Sequence, residues 1–333
     1  MSKKRPILIN SYLSYGTSNK LIAQGRALED RHILFGIEQS LFRTLGNIYK
    51  QFESNEIPNA SLKLTLQNGQ THNTTTDMEG YYLLEQKTVA LEELTNNEGW
   101  LSYIVSYEKA SPKHSIQNNN AFSGQMLIPD ERAKYGIISD IDDTILHTGV
   151  SSLFKWRLVA NTLFKNFDKR IPLHGAAAFY KKLHYNENGH PINPFFYVSN
   201  SPWNLHDYLQ RFLQKHDFPK GPVLLRDFWT PFDKTEKPTT PHKHQEITRI
   251  LEVYPMLKFI LIGDSGEKDP IYYKEIAIKY PGRILAIYLH AVKSQKKLEK
   301  TMKIIRNFKS VPMLLVNNSD EIAAHAKSIG VLI

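Results

Sequence analysis

The chain has 333 residues, with 42 Lys and Arg against 33 Asp and Glu, a formal net charge of +9 and no cysteine. This length exceeds the usual size of a single core, so two domains are expected, and 41% hydrophobic residues exclude wholesale disorder. The missing cysteine excludes disulfide frameworks, Cys-ligated zinc, iron–sulfur clusters and thiol nucleophiles.

Residues 1–130 show the pattern of a β-rich domain. After an irregular opening stretch, apolar residues at helical spacing predict an amphipathic helix between positions 37 and 48. Alternating and aromatic runs then predict strands at 62–66, 81–84, 100–107 and 121–128, with turns at 68–69 and 77–80 and a polar loop at 111–120. We therefore predict a small sandwich-like domain in this region.

Residues 131–333 show a different alternation, of short apolar runs and helical stretches. Strands are predicted at 135–139, 195–198, 259–262, 284–289 and 312–316, and helices at 203–215, 242–253, 270–280 and 319–328. Buried strands separated by helices are typical of a doubly wound parallel sheet, which binds ligands at the carboxyl ends of its strands. The predicted fold class is α/β, with a second, smaller β-rich domain at the N-terminus.

Acidic residues follow two of these strands. Asp140, Asp142 and Asp143 crowd at the end of the first strand, where three carboxylates repel one another unless a cation or a solvated loop compensates. Asp264 and Asp269 follow a later strand and reach the same sheet edge if the two strands are neighbours. Hard oxygen ligands from two strand ends predict a Mg²⁺ site; a solvated acidic loop and a structural calcium loop are the alternatives.

Two further positions have donors suited to a phosphate group. Ser199 ends the predicted strand before the helix at 203–215, and a hydroxyl at a helix start holds a phosphate oxygen or simply caps the helix. Lys243 opens the helix that leads to the Asp264 strand and could neutralise phosphate as a point charge. A solvated surface lysine is the alternative, and Lys234 and Lys237 lie nearby.

These segments resemble, in order, the four motifs of haloacid-dehalogenase-superfamily phosphatases. The matching set is Asp140-x-Asp142-x-Thr144, Ser199, Lys243 and Gly263-Asp264-x-x-x-x-Asp269. The longer segments 138–150, 197–205 and 261–266 are similar to the App1-type phosphatidate phosphatase catalytic domain, over about 131–333. The region 76–82 resembles transthyretin-like or carboxypeptidase-regulatory modules. One departure is Asn200, where many relatives carry a second serine.

The resemblance implies a mechanism as well as a fold. Asp140 would be the nucleophile that forms an aspartyl-phosphate, and Asp142 the general acid and base. The Mg²⁺ ligands would be Asp140, Asp264 and the backbone carbonyl of Asp142, and Asp269 or Ser265 would act directly or through water. The phosphoryl oxygens would be bound by Ser199, Lys243 and the neighbouring Asn200, and Thr144 would shape the turn. The expected reaction converts phosphatidate to diacylglycerol; a phosphatase for a soluble phosphomonoester and a non-catalytic anionic-membrane-binding module are the alternatives.

The basic excess lies in the second region. Residues 1–130 hold 12 basic and 13 acidic residues, which leaves 131–333 with a net charge of +10. Residues 145–185 interleave seven basic residues with aromatics, as in contacts with anionic lipid or in a helix packed on the core. At 293–309 we expect the apolar stripe in the core and the charges in solvent. We expect a cytoplasmic protein, either free or peripheral at a membrane, and no nucleic-acid partner.

Overall fold

The computed structural model describes residues 5–30, 55–109, 114–141, 145, 175–226 and 240–332. It divides the chain into two compact units, Met1–Pro129 and Asp130–Ile333. The helix predicted between 37 and 48 lies outside the described residues. So do residues 142–144 of the first motif, most of the basic segment 145–185, and both lysines near Lys243, at 234 and 237.

The described part of the first unit contains two sheets. Its strands are β1 (Arg5–Tyr12), β2 (Ser14–Tyr15), β3 (Lys20–Glu29), β4 (Ser61–Leu66), β5 (Thr71–Thr75), β6 (Tyr81–Lys87), β7 (Trp100–Tyr107), β8 (His114–Ile116) and β9 (Phe122–Leu127). One sheet has the order β6-β3-β1-β8 and the other β2-β9-β7-β4-β5. In β4, Leu62, Leu64 and Leu66 are buried while Lys63 is exposed, so alternation gives this strand one apolar face.

The strands predicted at 62–66, 81–84, 100–107 and 121–128 are confirmed as β4, β6, β7 and β9. Two other predictions for this unit are wrong. The opening stretch is not irregular but forms β1 and β3, and the predicted loop at 111–120 contains β8.

The run Gln24-Gly25-Arg26 interrupts the apolar pattern of β3, and the charge of Arg26 is paired inside the unit. The Arg26 guanidinium donates to the Glu79 carbonyl at 2.9 Å and to Glu56 at 3.0 Å, and lies 4.4 Å from the centre of the Tyr81 ring. Gly25 is needed for close packing, because a Cβ there would lie 2.3 Å from the carbonyl oxygen of Asn10. Neither the paired charge of Arg26 nor the close packing at Gly25 produces an alternating apolar pattern in the sequence.

The second unit alternates strands with helices. In chain order they are β10 (Gly136–Asp140), α1 (Ala176–His184), β11 (Phe195–Pro202), α2 (His206–Lys215), β12 (Val223–Arg226), α3 (His242–Val253), β13 (Phe259–Asp264), α4 (Asp269–Lys279), β14 (Ile284–His290), α5 (Gln295–Arg306), β15 (Met313–Val316) and α6 (Ser319–Ser328). The strands form one parallel sheet in the order β12-β11-β10-β13-β14-β15.

This arrangement confirms the α/β class and the parallel sheet. Two strands, β11 and β12, are added to one side of β10, and three strands, β13, β14 and β15, to the other. The strand order therefore reverses between β10 and β13, a topological switch point of the kind at which open α/β sheets bind ligands. None of the described helices is long and apolar enough to cross a membrane.

Three details of the second unit differ from the sequence predictions. The short strand β12 and the helix α1 were not predicted. The helix predicted at 203–215 begins as a 3₁₀ turn, Trp203–Leu205, and α2 follows from His206, while β11 extends through Pro202 beside β12 with a shifted register. The apolar stripe of α5 is half-buried rather than core, and the buried residue of that helix is Thr301.

The start of α3 contains a histidine whose titration should destabilise the fold in acid. Burial and the charges of Arg226 and Lys243 lower the pKa of His242 from 6.5 to about 4, against a backbone hydrogen bond with Leu224 that raises it. The unfolded chain takes up a proton there near pH 6.5, but the folded chain does so only near pH 4. The free energy of unfolding should therefore fall as the pH drops through this window, by up to about 3 kcal/mol.

Urea unfolding of wild type and His242→Gln, at about pH 7 and about pH 4.5, measures this effect. The loss of stability on acidification should be smaller in the variant. His190→Gln, at an exposed turn, should keep the wild-type dependence. Equal pH dependence in wild type and His242→Gln would contradict the prediction.

Candidate active site

Three predicted site residues meet at one edge of the parallel sheet. Asp140 ends β10 and Asp264 ends β13, and these strands are adjacent, so both carboxylates emerge at the switch point. Val198 pairs with Asp140, which places Ser199 on β11 just beyond this position. All three side chains are buried. The expectation that the first motif and the Asp264 strand are neighbours is therefore confirmed.

Lys243 is the centre of the charged cluster at this edge. The side chain begins in the first turn of α3, is 1% exposed, and ends at three carboxylates. Its Nζ lies 2.9 Å from Asp140 Oδ1, 2.9 Å from Asp269 Oδ1 and 2.9 Å from Glu267 Oε2. Burial alone would lower the pKa of Lys243, but the three carboxylates outweigh it and hold that pKa well above its usual range. The ammonium is therefore charged at neutral pH.

Asp269 is held in this cluster by its backbone surroundings. It is the first residue of α4, where the partial positive charge of the helix N-terminus favours a carboxylate. Its Oδ2 accepts a hydrogen bond from the backbone N–H of Asp264 at 3.2 Å. A Cβ at Gly263 would lie 2.6 Å from the same oxygen, so glycine is required there for close approach. Burial raises the pKa of Asp269, and Lys243 opposes this shift.

The loop between β13 and α4 is shaped by Asp264. Its Oδ1 accepts hydrogen bonds from the backbone N–H of Gly266 and, at 2.9 Å, of Glu267. Ser265 fixes the loop to the next strand, because its N–H donates to the His290 carbonyl at 3.0 Å and its Oγ accepts from the Val292 N–H at 3.1 Å. The loop thus folds back and presents the Glu267 side chain to Lys243.

The carboxyl-terminal half of β11 adds one more contact to the cluster. Asn200 Nδ2 donates to Glu267 Oε2 at 3.2 Å, so Asn200 and Lys243 share one acceptor atom. Ser199 Oγ accepts the N–H of Ser201 at 2.9 Å. Neither the helical turn nor the helix that follows Ser199 has a side-chain cap, so the capping alternative is wrong.

The cluster offers oxygen donors, but its centre is already occupied by a cationic group. Carboxylate oxygens of Asp140, Glu267 and Asp269 all lie within 4.8 Å of one another, a spacing suited to a metal ion. The Lys243 ammonium, however, is 2.9 Å from an oxygen of each. A divalent cation bound by Asp140 would therefore share that carboxylate with Lys243.

Of the predicted site residues, the structure brings together Asp140, Ser199, Asn200, Lys243, Asp264 and Asp269, whereas Asp142 and Thr144 lie outside the described residues. Asp269, predicted as a metal ligand, contacts Lys243. Glu267 was missed, although it lies within the motif, because spacing alone treats it as a connecting residue. The contact between Glu267 and Lys243 depends on how the loop between β13 and α4 folds back.

The fold and the site together define an α/β protein with a buried carboxylate–lysine centre at the switch point of a parallel sheet. Residues 135–291 match the model of the family described as "Phosphatidate phosphatase APP1, catalytic domain". The chain belongs to this family, as the motifs predicted.

Two curated relatives extend the match. The chain is 31% identical over 269 residues to Phosphatidate phosphatase APP1 of Saccharomyces cerevisiae, covering 78% of this chain and 42% of that protein. It is 28% identical over 224 residues to an uncharacterised protein of Schizosaccharomyces pombe, covering 67% of this chain and 35% of that protein. The chain therefore spans less than half the length of either relative.

Solved structures give weaker matches. Bacteroides thetaiotamicron EndoBT-3987 aligns with 85% of this chain and 61% of its own, with 8% identity and a TM-score of 0.21. A ferredoxin-NADP⁺ reductase from Plasmodium falciparum aligns with 85% of this chain and 95% of its own, also with 8% identity and a TM-score of 0.21. Similarity at this level supports no conclusion about the fold.

Proposed function

We propose that the chain is a Mg²⁺-dependent phosphatidate phosphatase that works through an aspartyl-phosphate. The observation that carries this proposal is the Lys243 ammonium in contact with both Asp140 and Asp269 beside Asp264, at the switch point of a sheet in a member of this family. A haloacid-dehalogenase-like fold is part of the proposal. It is supported by the strand order and by motif residues that follow in chain order on β10, β11, α3 and β13.

In the first step of this mechanism, a carboxylate oxygen of Asp140 attacks the phosphorus of the ester. The bond from phosphorus to the ester oxygen breaks, and the leaving oxygen takes a proton from Asp142. In the second step, Asp142 takes a proton from water as that water attacks the phosphorus of the aspartyl-phosphate. Phosphate leaves and the Asp140 carboxylate is restored. Lys243 and Ser199 bind phosphoryl oxygens in both steps.

The donor set fits a hard divalent cation. Asp140 and Asp264 are buried carboxylates at adjacent strand ends, and Mg²⁺ is commonly bound by one or two carboxylates together with substrate phosphate. Asp269 and Glu267 add acidic groups, while the ion pairs described in this cluster have one cation, Lys243. A dianionic ester approaching this cluster is repelled. When bound, Mg²⁺ supplies charge neutralisation of the phosphate and the nucleophile.

The proposed substrate is a lipid, so the enzyme must reach a membrane surface. In the described part of the chain, α5 carries exposed lysines at 296, 300 and 303 beside half-buried Leu298 and Met302. Basic groups next to apolar ones suit peripheral contact with anionic lipid, at about 1 kcal/mol for each cation near the surface. This contact is the proposed origin of a preference for phosphatidate over soluble esters.

Phosphate release from phosphatidate in mixed micelles, with Mg²⁺ and then with excess EDTA, tests the proposal. We expect release with Mg²⁺, its loss in EDTA, and its return on re-addition of Mg²⁺. A parallel panel of sugar phosphates and nucleotides should give lower kcat/KM. Faster turnover of a soluble ester would contradict the lipid substrate, and full activity in EDTA would contradict the metal.

A further inference from the structure

Glu267 occupies the position at which two proposed phosphate donors converge. Its Oε2 accepts from Lys243 Nζ at 2.9 Å and from Asn200 Nδ2 at 3.2 Å. These donors come from separate elements, α3 and β11, and meet at one anionic oxygen. A phosphoryl oxygen is also an anionic acceptor that would take the same two donors. The Glu267 carboxylate therefore takes the place that the proposed mechanism gives to phosphate.

Acidic groups already surround the Lys243 ammonium. An ammonium has three N–H groups. Three carboxylates, those of Asp140, Asp269 and Glu267, each lie 2.9 Å from Nζ. The ammonium donates to Glu267 Oε2 and to both oxygens of Asp269, so a phosphoryl oxygen that takes the place of Glu267 Oε2 must displace that carboxylate.

Burial decides which carboxylate moves. The side chains of Asp140 and Asp269 are 0% exposed, whereas that of Glu267 is 25% exposed. Asp269 is also held by the backbone N–H of Asp264, and Asp140 lies at the end of the central strand. Glu267 belongs to the loop before α4 and can turn towards solvent, where its charge is hydrated.

We propose that Glu267 is a positioning residue that holds Lys243 and Asn200 in place in the free enzyme and is displaced by the phosphoryl group of the substrate. This inference rests on the proposed phosphatase function of the same site. It assigns Glu267 a part in anion binding: a substrate or product phosphate must compete with an internal carboxylate. Removing that charge should therefore strengthen phosphate binding, a result that neither a structural role nor metal ligation by Glu267 would produce.

Calorimetric titration with inorganic phosphate, with and without Mg²⁺, tests the inference without any need for phosphatidate turnover. Glu267→Gln keeps the shape of the side chain and removes its charge. We expect its Kd for phosphate to be lower than that of wild type by about fivefold or more. Glu275→Gln makes the same charge change at an exposed position of α4 and should bind phosphate like wild type.

Each other outcome overturns the inference. Equal affinity in wild type and Glu267→Gln would show that the carboxylate does not compete with phosphate. Weaker binding in Glu267→Gln that appears only with Mg²⁺ would identify a metal ligand instead. If wild type, Glu267→Gln and Glu275→Gln all fail to bind phosphate, the cluster is not a phosphate-binding site. Thermal unfolding confirms that each variant folds, and Glu267→Ala, expected to act in the same direction, replaces Glu267→Gln if that variant does not.

Failure of this inference can be told apart from failure of the proposed function. If wild type binds phosphate and releases none from phosphatidate, the substrate proposal fails while the competition between Glu267 and phosphate remains measurable. If phosphatidate is hydrolysed and Glu267→Gln binds phosphate no more tightly, the role of Glu267 fails alone.

Discussion

Replacing Asp140 by asparagine is expected to lower kcat for phosphate release from phosphatidate by at least about a thousandfold, with the fold retained. The amide has nearly the shape of the carboxylate but cannot form the aspartyl-phosphate. The fold should survive because Lys243 keeps two of its three carboxylates, Asp269 and Glu267, at 2.9 Å. Steady-state kinetics and thermal unfolding of the same preparation measure both effects.

Asp217→Asn provides the matched control. This aspartate has a side chain that is 80% exposed, and its φ of 57° is in the left-handed region that asparagine tolerates well. The control should keep wild-type kcat and stability. If the kcat of Asp140→Asn lies within about tenfold of wild type, Asp140 is not the nucleophile. A large loss of stability in this variant would mean that its lower kcat reflects unfolding.

The candidate site at the sheet edge could be predicted from the sequence because topology, rather than detailed packing, brings its residues together. Asp140, Ser199 and Asp264 follow buried apolar runs, and parallel strands separated by helices place their carboxyl ends at one edge. The spacing of the apolar residues was therefore sufficient to predict that these three residues lie at one sheet edge. Lys243 needed the resemblance to a family, since a lysine at the start of a helix is usually a surface residue.

Other features depend on contacts that leave no periodic signal. Glu267 meets Lys243 because Asp264 Oδ1 accepts two successive backbone N–H groups and turns the loop back. The strand β3 is interrupted in sequence by Arg26, whose charge is paired inside the unit. In both cases a polar residue is satisfied by a distant partner, and the sequence does not specify that partner.

Replacing Lys243 by methionine should lower the free energy of unfolding by about 3 kcal/mol or more and abolish activity. Methionine preserves most of the side-chain volume, so the loss should arise from charge: Asp140 and Asp269 would be left fully buried without the ammonium that now pairs with both. Urea unfolding measures the change. Lys134→Met removes an ion pair of similar length, 3.1 Å to Glu187, but with both side chains more than half exposed, and should cost less than about 0.5 kcal/mol.

The origin of this loss can be tested through pH and a second substitution. Burial raises the pKa of Asp269 and Lys243 opposes this shift, so without the ammonium the folded variant binds a proton at Asp269 more readily than the unfolded chain does. The deficit of Lys243→Met relative to wild type should therefore shrink as the pH falls from about 7 to about 5. Adding Asp269→Asn to Lys243→Met should restore part of the lost stability, since one buried charge is removed. A deficit that is independent of pH, and additive with the second substitution, would instead mean that Lys243 stabilises the fold through packing alone.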